Sequence, residues 1–176
     1  GDYTIEAWIY VPADAANWGR FGLFARADST NWDSNCYFIF CDSDGDDYLR
    51  VGRYYDNHGS WEVFTDPPAS ITRDAWHKFS LTVKGATIIG KVDDVIIYQG
   101  EDATHASSGY AGVLCYQNNA SAPTTLVDRV TITSEADTGY LYFAGGAVSD
   151  PSETTPEDGT VTPDNGVFSV LVADVD

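Results

Sequence analysis

Residues 71–99, ITRDAWHKFSLTVKGATIIGKVDDVIIYQ, admit little other than three antiparallel strands joined by tight turns. The first run sets Phe79, Leu81 and Val83 against Lys78, Ser80, Thr82 and Lys84, and that period of two turns one set to a core and the other to water. Lys84-Gly85 supplies a turn with a residue free to take positive φ, and residues 87–92 run back with β-branched side chains suited to a pleated surface. A second turn falls at Asp93-Asp94. The third run, Val95-Ile96-Ile97-Tyr98, is apolar on both faces, so a cover for its second side is expected. A meander of this kind is stable only when a second layer buries its apolar face, and the rest of the chain has to provide that layer.

The chain of 176 residues is long enough for one well-buried core and short for two. No stretch holds an apolar i, i+3, i+4, i+7 pattern beyond a turn, while Tyr, Trp, Phe, Val, Ile and Thr dominate and Gly and Asp punctuate, so the chain reads as all-β. Further strands are expected at 3–11 (ended by Pro12), 21–26, 36–41, 48–55, 61–65, 110–116, 124–133 and 140–148. The turn Asp42-Ser-Asp-Gly-Asp-Asp47 makes a hairpin of 36–41 and 48–55. Ile5, Ile9, Leu23, Phe38, Phe79, Leu81, Val83, Val92, Val113, Val130 and Ile132 form the expected core. Residues 149–166, rich in Pro, Thr, Glu, Asp and Gly, have the composition of an extended linker, and 167–175 are again strongly β-forming.

With 9 Lys+Arg against 27 Asp+Glu, the net charge of -18 repels phosphate backbones and anionic membranes, so nucleic acid is not an expected partner. No apolar run approaches the ~20 residues of a membrane-spanning helix, and no basic-then-apolar leader precedes Gly1, so no membrane insertion is expected. A chain without Met that opens directly on a strand reads as a mature secreted, extracellular or cell-surface product. Asn119-Ala-Ser121 is a glycosylation sequon, meaningful where secreted proteins are glycosylated. Three cysteines cannot all pair internally. Cys36 and Cys41 stand an odd number of positions apart on one strand and so point to opposite faces; burial as small hydrophobes is the expected state of all three, a bridge from Cys115 to one of them the alternative.

The order DYTIEAWIYVP, GLFARAD, DAWHKFSLTVKG with KVDD, GYAGVLCY and LVDRVTI resembles the laminin-G-like domains of the concanavalin A-like lectin and glucanase superfamily, over about residues 2–133. The resemblance implies a two-sheet antiparallel jelly-roll sandwich, usually non-catalytic, often binding glycans or surface proteins, and sometimes holding calcium at a loop rim. The chain departs from the family twice. It begins at the piece matching residues 3–11, where members have one or more earlier strands, and it carries the tail 140–176.

The glucanase branch needs acidic residues alternating on one strand, Glu-x-Asp-x-x-Glu, to set a nucleophile and an acid about 5 Å apart. The Glu residues at 6, 62, 101, 135, 153 and 157 form no such string. Nucleophile-elbow, zinc-protease and phosphate-loop motifs are absent too, and His58, His77 and His105 lack ligand spacing; the expectation is not an enzyme. Trp18, Trp32, Tyr54 and Trp61 fall in or beside loops, where a flat ring stacks on a sugar or anchors a protein, although rings in such a sandwich also plug its core ends. Arg26, Arg50 and Tyr54 should share the outward face of the second sheet, because Leu23, Leu49 and Val51 claim the inner one. An arginine there bonds ligand hydroxyls or pairs with one of the many Asp residues, and pairing is the reading adopted. Asp42, Asp44, Asp46 and Asp47 are the densest set of calcium-type ligands, although the string departs from the EF-hand pattern and reads first as an acidic hairpin.

The domain reading is a sandwich over 1–148, a linker at 149–166 and a strand at 167–176. In that strand Phe168, Val170 and Val172 alternate with Leu171, Ala173 and Val175, so both faces ask for burial. A sandwich lacking its leading strand should have an open edge beside residues 3–11 or 126–132 for the tail to fill. Extended at ~3.1 Å per residue, the 18-residue linker reaches ~55 Å, enough to fold back or to enter a neighbour. Two functions follow: a secreted, non-catalytic lectin-like module for a glycan or cell-surface ligand, or a filament subunit whose tail strand completes the next copy.

Overall fold

The computed structural model describes residues 1–12, 19–29, 34–42, 48–56, 59–65, 71–107, 109–117, 126–134, 138–140 and 167–175. They form twelve strands: β1 Tyr3–Val11, β2 Gly19–Ala27, β3 Cys36–Asp42, β4 Tyr48–Tyr55, β5 Ser60–Thr65, β6 Ala75–Lys84, β7 Thr87–Val92, β8 Val95–Glu101, β9 Gly109–Gln117, β10 Val127–Ser134, β11 Thr138–Tyr140 and β12 Val167–Val175. They make two antiparallel six-stranded sheets, β11-β10-β1-β6-β7-β8 and β12-β9-β2-β3-β4-β5, called the first and second sheet below. No helix occurs among the described residues. The expected all-β sandwich is thus present.

The meander follows its sequence. Phe79, Leu81 and Val83 on β6 are fully buried, Gly85 takes a φ of 54°, and Asp93 and Asp94 take φ of 50° and 64°, the left-handed pair that a two-residue hairpin turn needs. Between the sheets lies a core drawn from both: Ile5 and Ile9 of β1, Leu23 of β2, Ile39 of β3, Val51 of β4, Ile88 of β7, Val113 of β9 and Ile132 of β10. The layers meet closely at Gly90, where an added Cβ would stand 2.7 Å from a methyl of Val51. At Gly22 the approach is between strands: a Cβ there would fall 1.9 Å from the carbonyl oxygen of Ile39.

Four expectations are corrected. Phe38, placed in the common core by its apolar neighbourhood, belongs to a separate cluster with Phe24, Cys36, Phe40, Tyr54 and Leu114 on the outer face of the second sheet. β3 is buried on both sides, so alternation gave no way to choose its inner face. The third meander run is not covered. β8 is the edge of the first sheet, with Val95 63% and Ile96 52% exposed, and a register shift opposite Gly90/Lys91 twists it. Nor does the tail strand lie beside β1 or β10. β1 is flanked by β10 and β6, β10 is flanked by β11, and β12 pairs with β9 in the second sheet of the same chain. Fourth, Arg26 sits at a register shift with a φ of 52° and leaves the outer face of the second sheet. Of the strand expected at 140–148, Tyr140 ends β11 and 141–148 lie outside the described residues, as do the linker 149–166 and Asp176.

Cys36 and Cys41 face opposite sides, one in each hydrophobic cluster. All three cysteines are thiols, and burial pushes that of Cys115 up to about 12.

Candidate functional site

The outer face of the second sheet is where these strands gather chemistry. Alternation sets Arg20 on β2, Phe40 and Asp42 on β3, and Tyr48, Arg50 and Tyr54 on β4 along one side, with Trp61 of β5 opposite Tyr54. Trp61 is the platform. Its ring stacks with Tyr54 (centroids 6.2 Å apart, planes at 18°) and with Phe40 (6.5 Å, 18°), yet it remains 39% exposed. Two guanidinium groups attend it, that of Arg20 5.1 Å and that of Arg50 5.3 Å from the ring centre, both within cation–π range. Arg20 also lies 5.3 Å from the Phe40 ring, and Arg50 5.1 Å from that of Tyr48.

Asp42 joins the two arginines. Its Oδ2 accepts from Nη1 of Arg50 at 2.5 Å and stands 3.5 Å from Nε of Arg20, while the carboxylate is almost wholly buried. Nη1 of Arg20 donates to the Tyr54 hydroxyl at 2.9 Å. Burial, against the opposing charge of Arg20, pushes the Tyr54 phenol up to about 12, so it stays protonated and can itself donate. The constellation offers the N–H donors of two arginines and a flat exposed ring, while the buried Asp42 carboxylate and Tyr54 hydroxyl hold those arginines in place. That set suits a polyhydroxylated ring with one apolar face.

Arg50, Tyr54 and Trp61 of the expected binding residues meet here, and Arg50 pairs with an aspartate as expected. Trp18 and Trp32 lie outside the described residues, as do His58 and the Asn119 sequon. Arg26 does not join the group, against expectation. A register shift between Phe24 and Ala27 and a φ of 52° at Arg26 break the alternation and carry its side chain off the outer face into the end of the sandwich. There it is buried, donating to the carbonyls of Gly85 (2.7 Å), Gly1 (3.2 Å) and His105 (3.3 Å) and pairing with Asp2 at 3.1 Å. Arg20, which a strand beginning at Phe21 leaves in the preceding loop, belongs to β2, has the same parity as Arg26 and precedes the bulge, so it keeps the outward direction that Arg26 loses.

For calcium, Asp42 is a poor ligand. A dication there would meet two guanidinium groups already on the carboxylate, and among the described residues no group of three or more His, Cys, Asp and Glu is placed to hold a metal. Asp44, Asp46 and Asp47 lie outside the described residues.

A second polar cluster, unforeseen in the sequence, clasps the segment after β8 to the second sheet. Arg53 pairs with Asp102 at 2.6 Å and with Glu62 at 2.7 Å, and also donates to the Thr104 hydroxyl. The Tyr37 hydroxyl donates to Asp102 at 2.7 Å and accepts from the backbone N–H of His105 at 3.0 Å. Burial pushes the Asp102 carboxyl up, but hydrogen bonds from Tyr37 and Thr104 and the charge of Arg53 more than offset it and leave it below 3.8. His105, whose Nε2 lies 2.9 Å from the carbonyl of Tyr54, is held below 6.5 chiefly by burial. Every charged group in this clasp is spent on another, so it holds structure together and offers little to a ligand.

Of the tail residues expected to act in assembly, Phe168, Val170 and Leu171 stand opposite Cys115, Val113 and Gly112 of β9, and Val172 sits at a register shift.

Among solved structures, the carbohydrate-binding module CBM66 from Bacillus subtilis is similar to this chain with a TM-score of 0.51 and 17% identity, over 65% of each chain. Sheep galectin-11 in complex with glycerol gives a TM-score of 0.44 at 11% identity, over 60% of this chain and 77% of the other. The chain therefore spans about 65% of the length of the Bacillus module. No family model matches the sequence, and no curated protein does. The likeness to the Bacillus module is one of fold, a two-sheet antiparallel β-sandwich.

Proposed function

We propose that the chain is a non-catalytic, laminin-G-like glycan-binding module, secreted or displayed at a cell surface, whose ligand stacks on Trp61 and is held by Arg20 and Arg50. One observation carries the reading: an exposed indole bracketed by two guanidinium groups that share a single buried carboxylate. The shared carboxylate fixes both side chains in place, so neither loses its full rotamer freedom when a sugar arrives. The similarity to a carbohydrate-binding module supports the fold on which such a site is built.

Charge selects the class of glycan. The protein carries a net charge of -18, which repels a polyanion, while two Arg and one Asp leave the site itself only weakly positive. The reading is therefore a neutral polysaccharide or a cell-surface glycan of low charge. Calorimetric titration with neutral, uronate-bearing and sulfated oligosaccharides tests it. Binding by a neutral member is expected, with at least a tenfold loss in Trp61→Ala and Arg20→Ala. Silence across the whole panel, or both variants binding like the parent, overturns the proposal.

A further inference from the structure

Three of the four strands at the rims of these sheets are blunted, and β9, one place in from the fourth, β12, is not. β5 carries Glu62, β8 carries Glu101 and a register shift, and β11 is only three residues long, each a known way of keeping an edge from recruiting other chains. β9, GYAGVLCYQ, runs nine residues without a charge or a proline in a chain with 27 acidic residues. Ala111 and Val113 are buried on its inner side and Leu114 on its outer side, the composition of an interior strand. Only β12 makes it one. Eight residues of β12, from Val167 opposite Tyr116 to Val175 opposite Gly109, pair with it, and β12 bonds to no other described strand.

Covalent connection does little to dictate which copy supplies that partner. β12 is separated from β11 by residues 141–166, a length that reaches ~80 Å when extended at ~3.1 Å per residue. We infer that the β9 edge is a strand-accepting site whose occupant is exchangeable, and that a second copy of this chain can supply its own β12 there in the same register. The arrangement seen is the closed form. A reciprocal exchange closes a dimer, and a head-to-tail exchange leaves a free β9 at one end and a free β12 at the other and so propagates. Tethering within one chain holds the strand at an effective concentration on the order of millimolar, so closed monomers prevail in dilute solution and exchange is favoured when chains fold while crowded together. The inference does not depend on glycan binding.

Phe168 stands opposite Cys115, which allows the exchange to be trapped. In Phe168→Cys, the two facing thiols occupy directly opposed antiparallel positions, a separation a disulfide spans. Refolded dilute and then oxidised, this variant should give an internal bridge and one 19.1 kDa band on a non-reducing gel. Refolded at a hundredfold higher concentration before oxidation, it should give a ladder at multiples of that mass, absent from the parent chain and from Cys115→Ser/Phe168→Cys. The unsubstituted chain, refolded at the same two concentrations and sized by light scattering, provides the measurement should the variant not fold. A single mass of one chain at both concentrations, or an internal bridge alone at both, overturns the inference.

Discussion

The two outer faces of the sandwich solve opposite problems. On the first sheet, cross-strand neighbours are polar or amphipathic: Thr4 meets Thr82 through their hydroxyls at 2.8 Å, Glu6 lies 3.7 Å from Lys78, and Tyr10 meets Trp76 edge-on. Such pairs stabilise a sheet by a few tenths to about 1 kcal/mol each and leave the face in water. On the second sheet the same alternation delivers Phe24, Phe38, Phe40 and Leu114, all buried, with the arginines and Trp61 over part of them. A strand facing a core on one side needs alternation only. A strand burying both sides has a second task, and here that is where the exposed indole and its arginines stand.

The sharpest way to break this contrast is to truncate a matched residue on each face. Phe38→Ala should cost about 3–5 kcal/mol in denaturant unfolding, as for a core phenylalanine, while Thr82→Ala should cost under about 1 kcal/mol. Equal, small losses would mean that the second sheet's outer face is not a core. Next in size is Arg26→Ala, which strips a buried guanidinium from the carbonyls of Gly1, Gly85 and His105 and from Asp2. A loss of about 3 kcal/mol is expected, and one below about 1 kcal/mol would show the sandwich end held by something else.

Acid distinguishes the two sheets more gently. The folded-state pKa of His105 lies below its ordinary 6.5, so the unfolded chain binds its proton first; the stability this confers is complete above pH 6.5 and drains away as pH falls below it. Asp102 works in the same sense but only below 3.8. Melting temperature followed from pH 8 to 5 should therefore fall in the parent and stay flatter in His105→Gln, whose amide can keep a donor near the Tyr54 carbonyl. Parallel curves would remove His105 from the account. Smallest of all is the effect of Trp61→Ala on stability, about 1 kcal/mol or less for a residue this exposed, against its large expected effect on binding. A stability loss as large as that of Phe38→Ala would make the indole part of the fold.

What the sequence makes legible is whatever alternates. Phe79-Ser80-Leu81-Thr82-Val83 announces both its strand and its inner face, and the register of β6 against β1 follows from it. CYFIFC announces a strand but no inner face, so nothing in its pattern separates Phe38, on the outer face, from the common core. Arg26 was misdirected by one bulge, which moves the side chains beyond it to the other face and leaves no mark in composition. The Arg53 clasp joins residues up to 68 positions apart, a distance at which local pattern carries nothing. Val95 and Ile96 were expected to be covered because they are apolar, whereas an edge is made by topology. The tail's need for a partner was legible in its composition; which strand it would join was not.

The spacing of β9 and β12 along the chain also sets a clock. About fifty residues separate the end of one from the start of the other, so a ribosome adding ~5–20 residues per second leaves β9 without its partner for roughly 3–10 s. Hairpins close in microseconds, so the β2–β3–β4 ladder has ample time to form first. Each nascent chain thus passes through an interval in which an uncharged, nine-residue strand stands open beside its neighbours on the same message. The rate of synthesis, and the spacing of ribosomes, then become variables that decide how many molecules meet their own last strand first.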